Sequence, residues 1–85
     1  MGAQVHSSTA ALERARWELQ QVEEELRRYE EGWGGSPLRV NLAALAHDWV
    51  AFQNAARARS EYAVLQERRR ELRERIRRLQ RGGGA

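Results

Sequence analysis

The stretch Glu30-Glu31-Gly32-Trp33-Gly34-Gly35-Ser36-Pro37 constrains this chain more than any other. It separates two long segments of helical periodicity and holds what is needed to stop one helix, turn back and start another. Gly32 is placed as the residue just past a helix end, where a left-handed backbone is needed and glycine has no Cβ to oppose it. Gly34 and Gly35 permit a tight bend. Ser36 offers an oxygen for a cap, and Pro37 suits a first helical turn, where its missing N–H has no intrahelical partner anyway. The pattern predicts a helical hairpin with Trp33 at the bend.

Upstream, Leu12, Ala15, Leu19, Val22, Leu26 and Tyr29 recur at alternating steps of three and four, an a/d seam that Trp33 continues into the turn. Charged residues occupy the other faces. A narrow stripe with a charged surround fits a bundle or coiled coil. Ser8 or Thr9 can cap this helix, leaving 1–8 as a flexible tail. Downstream, no internal Pro or Gly interrupts the chain before Gly82. The second helix is predicted from Pro37 to about Arg81, with 82–85 a flexible glycine-rich tail. The hairpin thus covers 9–81, with its bend at 32–36. The second helix carries two seams one residue out of step: Leu42, Leu45, Trp49, Phe52 and Ala56, then Ala55, Ala58, Tyr62, Leu65, Leu72, Ile76 and Leu79, with Arg69 interrupting. Such a discontinuity alters a supercoil or marks a change of packing partner.

At 1.5 Å per residue the second helix would be about 65 Å long against roughly 35 Å for the first. A reversal at Gly35-Ser36 would place Leu12 level with Ala58 and Arg59, so that Ala63 to Arg81 projects beyond its partner. Contiguous exposed apolar residues mark an interface. Tyr62, Leu65, Leu72, Ile76 and Leu79, with Trp17 outside the first seam, are therefore the predicted oligomer interface. Charge gives a second argument. Leu12 to Glu31 holds four Arg and seven Glu, whereas Glu67 to Arg81 holds eight Arg and three Glu. Opposite signs on segments that do not face each other within one hairpin suggest pairing between chains.

Composition narrows the function classes. The chain has 85 residues, no cysteine and fifteen Arg as its whole basic complement. A chain of this size buries a modest core and has no disulfide to reinforce it, which makes oligomerisation the natural source of further buried surface. No apolar run is long enough for a membrane span, and no signal peptide is visible. Localisation is left between the cytoplasm and secretion without a cleavable signal.

No catalytic constellation is apparent. His6 and His47 are far apart, and His47-Asp48 lacks the spacing of metal ligands. The bend lacks the Lys-Ser/Thr that follows a phosphate-binding glycine loop. The glutamates lie on charged faces without a pocket to tune them. The expectation is a non-enzymatic protein without metal or cofactor. Trp33, Trp49 and Phe52 read as a small aromatic core that staples the helices near the bend. Arg68, Arg69, Arg70, Arg73, Arg77, Arg78 and Arg81, with Arg75 among them, are candidate phosphate contacts. Glutamates interleave them and no aromatic residue is present for base stacking, so nucleic acid is a secondary reading to helix packing.

The order helix, Trp33-Gly34-Gly35, helix in a short cysteine-free chain resembles the WXG family of small type VII secretion substrates, with Trp33 and Gly35 as the W and G and Trp49 as a later aromatic on the second helix. The resemblance covers roughly Leu12 to Phe52. It implies two hairpins joined in a four-helix assembly, exported by bacteria as a folded dimer and acting through protein contacts.

The sequence thus points to an all-α, coiled-coil-like antiparallel hairpin that self-associates, first of all as a dimer forming a four-helix bundle, and works as an interaction or assembly module that can also take a protein partner. An arginine-rich RNA-binding protein and a viral or phage structural or inhibitory protein are the alternatives.

Overall fold

The computed structural model describes residues 2–84, with side chains described over 9–82. The order is helix α1 over Gly2–Gly32, two short 3-10 turns over Pro37–Arg39 and Leu42–Leu45, and helix α2 over Trp49–Gly84. The two helices pack antiparallel along a rod with extents of 63 × 17 × 16 Å. The expected all-α hairpin is therefore present, and among the described residues there is no strand.

The α1 seam follows the heptad reading. Ala15 and Leu26 are buried, and Leu12, Leu19, Val22 and Tyr29 are half-buried. On α2, Ala55, Ala58, Tyr62 and Leu72 are buried, and Leu65, Arg69, Ile76 and Leu79 are half-buried, so Arg69 occupies a seam position rather than breaking the row. Among the described residues, three of the six buried side chains of the two helices are alanines. Small residues let the helix axes approach, yet they contribute little apolar area, so the core is one thin row.

Helix ends differ from the sequence reading. α1 begins at Gly2 instead of at a Ser8 or Thr9 cap, and α2 runs to Gly84 instead of stopping at Gly82. Helix formers such as Ala3, Gln4, Ala10 and Ala11 carry the first helix forward, while each terminal glycine costs about 1 kcal/mol relative to alanine in a helix. Met1, Ala85 and the side chains of 1–8 and 83–85, on which the predicted tails fall, lie outside the described residues.

The stop of α1 is shifted by two residues. Gly32 is its last helical residue, and the left-handed position belongs to Gly34, at φ 67°. The Gly35 N–H donates to the Glu30 carbonyl at 2.8 Å, the six-to-one bond of a Schellman stop, and Gly35 follows at φ 140°.

The restart of the second helix is displaced much further. Ser36 does cap, its hydroxyl accepting from the Leu38 N–H at 3.3 Å with Pro37 just inside, but the element it caps is a three-residue 3-10 turn. Asn41 caps the next turn, accepting from the Ala43 N–H at 3.1 Å. Asp48 then caps α2: its side chain accepts from the Ala51 N–H at 3.1 Å and its carbonyl from the Phe52 N–H at 2.8 Å. Both 3-10 turns pack on α2. Leu42 and Leu45 are not on the same helix as Ala58 and Tyr62, so no single helical phase relates them. This break accounts for part of the offset between the two seams, although Trp49, Phe52 and Ala56 of the first seam share α2 with the second.

The longer connection also changes the register. Tyr29 lies against Tyr62, Glu18 against Arg68, Glu23 against Arg73, and Ala11 and Ala15 against Leu79 and Arg75. Helix α1 covers α2 as far as Leu79. The predicted overhang from Ala63 to Arg81 does not exist, because starting α2 twelve residues later brings its far end back alongside α1.

Candidate interaction surfaces

The register brings Tyr29-Glu30 of α1 against Glu61-Tyr62 of α2, two mirrored dipeptides on antiparallel helices. The Tyr62 hydroxyl donates to Glu30 Oε2 at 2.7 Å, and the Tyr29 hydroxyl donates to Glu61 Oε2. The two rings meet edge to face with centroids 6.4 Å apart. These tyrosines staple the helices, a role the sequence reading gave to Trp33, Trp49 and Phe52. Both phenols are held above their usual pKa. For Tyr29 the leading cause is the hydrogen bond to Glu61, then burial and the charges of Glu61 and Glu25. For Tyr62 it is burial, then the bond to Glu30, with Ser36 and Arg69 opposing.

The aromatic residues of the bend do not form a closed core. Trp49 stacks on Phe52 at a centroid distance of 5.8 Å, yet Trp49 is 66% exposed and Trp33 37%. Trp49 opens the first turn of α2, beyond the end of α1, so α1 does not cover it. Leu38 and Val50 are exposed beside them. From Trp33 to Phe52 the only Asp, Glu or Arg residues are Arg39 and Asp48, so this end of the rod is apolar and almost uncharged. His47 is exposed in the turn before α2.

The predicted oligomer interface divides. Tyr62 and Leu72 are buried between α1 and α2, and Leu65, Ile76 and Leu79 are half-buried on the same seam. They belong to the hairpin's own core and not to a contact with a second chain. Trp17 is exposed at 60%. Two residues past Ala15, it lies about 200° around the helix from the seam, on the outward face of α1. Val64 is exposed on α2, beside a shallow depression lined with Glu25, Tyr29, Ser60, Glu61 and Leu65.

Charge complementarity, read as a link between chains, is satisfied in part within one chain. Arg68 pairs with Glu18 at 2.8 Å and Arg73 with Glu23 at 3.2 Å, both across the hairpin. Arg70 pairs along its own helix with Glu67 at 2.6 Å, and Arg68 also reaches Glu71 at 3.6 Å. Such partly exposed pairs are worth about 0–1 kcal/mol each and act mainly on register. Among the described residues, Arg69, Arg75, Arg77, Arg78 and Arg81 make no ion pair.

Among the described residues, no group of three or more His, Asp or Glu could hold a metal ion, and no helix is long and apolar enough to cross a membrane. No family model, curated protein or solved structure matches the chain.

Proposed function

We propose that this chain is a non-enzymatic assembly module that pairs with a second copy of itself, two hairpins forming a four-helix unit. The observation that carries the reading is the exposure of all three tryptophans, Trp17, Trp33 and Trp49, on a hairpin whose own core is one thin row. Tryptophan offers more apolar area than any other side chain and is enriched at protein interfaces. A two-helix rod has no second layer with which to cover it. The resemblance of Trp33-Gly34-Gly35 to the WXG bend leads to the same four-helix arrangement and to export as a folded dimer, with contacts to other proteins as its work.

Light scattering after gel filtration tests this. The expected mass is about twice the 9.8 kDa of the chain, falling to that of one chain in the double variant Trp17→Glu, Trp49→Glu. Both substituted residues are exposed, so helicity by circular dichroism should persist. A wild-type mass of one chain across a hundredfold range of concentration would refute self-assembly.

A further inference from the structure

One flank of α2 carries a groove of ≈ 520 Å³ whose charged lining is Arg69, Arg70, Arg73, Arg77 and Glu67. We propose that this groove binds the phosphate backbone of a nucleic acid, without reading its sequence. It lies on a different face from Trp17 and does not depend on the pairing of two hairpins.

Four arginines face one glutamate there. Glu67 engages Arg70 and Glu23 engages Arg73, which leaves Arg69 and Arg77 without an ion pair among the described residues. Arg69 is the more telling of the two. It sits in the packed seam between Leu65 and Leu72, half-buried, and among the described residues no carboxylate lies within ion-pair distance of it. A bound anion supplies what the fold omits. Arg69, Arg73 and Arg77 are four residues apart and form one row, each step about 6 Å along the axis. A row of planar guanidinium forks matches successive phosphates, which it contacts through paired N–H groups.

The lining also chooses between kinds of polyanion. Protein interfaces have an apolar centre that excludes water. This groove offers only Ala63 as an apolar lining residue, with Gln66 beside it. Interfaces with nucleic acid are polar and strongly positive. No aromatic side chain lines the groove to stack on a base, so recognition stops at the phosphates.

The test is fluorescence anisotropy with a labelled 20-base-pair duplex of random sequence, from 50 to 200 mM salt. The double variant Arg69→Gln, Arg77→Gln is compared with Arg16→Gln, Arg27→Gln, which removes the same charge from exposed positions of α1. Wild type should bind at 50 mM, with an affinity that falls steeply with salt. The groove variant should lose at least tenfold at 50 mM and flatten the log–log salt slope by about two. The α1 variant should lose less than threefold. Arg77→Gln alone, at an exposed position, should show about half the change in slope, which guards against misfolding of the double variant. No binding at 50 mM, or equal losses in the two double variants, would overturn the proposal. So would displacement of the duplex by polyglutamate at equal charge concentration, which would make the groove a site for acidic protein.

Discussion

Tyr62 joins three things that are usually separate: a buried ring, a hydroxyl bonded across the hairpin to Glu30, and a cation, Arg69, nearby. Burial and the bond to a carboxylate both favour the neutral phenol, and their joint effect outweighs the opposing pull of Arg69 and Ser36. The folded-state pKa therefore lies above the unfolded value of about 10. A group shifted in this direction contributes fully below the unfolded pKa, and its contribution is lost as pH rises through the folded one. The hairpin should hold constant stability from pH 8 toward 10 and weaken above it. In Tyr62→Phe the hydroxyl bond is gone at every pH, at a cost of about 1 kcal/mol at pH 8. Its alkaline decline should also be shallower than that of wild type or of Tyr29→Phe, whose ring is only half-buried. Urea midpoints from pH 8 to 11 measure this, and a Tyr62→Phe slope equal to the wild-type slope would remove Tyr62 as the cause.

At the scale of elements, the heptad seams were legible in the sequence and the start of α2 was not. Leu12 to Tyr29 and Ala55 to Leu79 lie where a 3.6-residue period puts them, because packing between two helices depends only on that period. Ser36-Pro37 carries a helix-start signature, but the same signature opens a 3-10 turn, and nothing local distinguishes three residues from forty. Asp48, ahead of Trp49 and Val50, was an equally good cap. Another sign was present in Tyr29-Glu30 and Glu61-Tyr62, which can exchange hydrogen bonds only if Tyr29 faces Tyr62. That pairing fixes the register, excludes an overhang and places Leu72 and Tyr62 in the core. The exposure of Trp49 was illegible for the related reason that it depends on where α1 ends relative to α2. If Asp48 is the true start, Asp48→Ala should cost about 1 kcal/mol of stability. Asp48→Asn should restore most of it, and thermal melts of the two variants provide the comparison. Equal melting of Asp48→Ala and wild type would mean that the two 3-10 turns, not the cap, hold the start of α2.

The shape of the whole molecule limits how two copies can meet. The end face of the rod measures 17 × 16 Å, about 270 Å², whereas a stable interface takes roughly 800 Å² from each partner. Contact through the apolar bend alone is too small, despite Trp33 and Trp49. The long face measures 63 × 17 Å, about 1,070 Å², and is large enough. Charge then chooses the direction. In a parallel pair Arg14, Glu24 and Arg28 on the outward face of α1 would each lie against their own counterpart and repel. An antiparallel pair sets unlike residues of that face against each other instead. A two-fold axis level with Leu19, on the outward face of α1, would hold the two Trp17 rings about 6 Å apart along the helix and place Arg14 opposite Glu24 of the second copy and Ala10 opposite its Arg28. The natural chain has no cysteine, so single substitutions report this pairing without background. Ala10→Cys mixed with Arg28→Cys should form a disulfide-linked dimer on a non-reducing gel, while Ala10→Cys alone should stay largely uncoupled. The reverse, with Ala10→Cys coupling to itself faster than to Arg28→Cys, would make the pair parallel and would mean that apolar contact along α1 outweighs the like-charge repulsion of Arg14, Glu24 and Arg28.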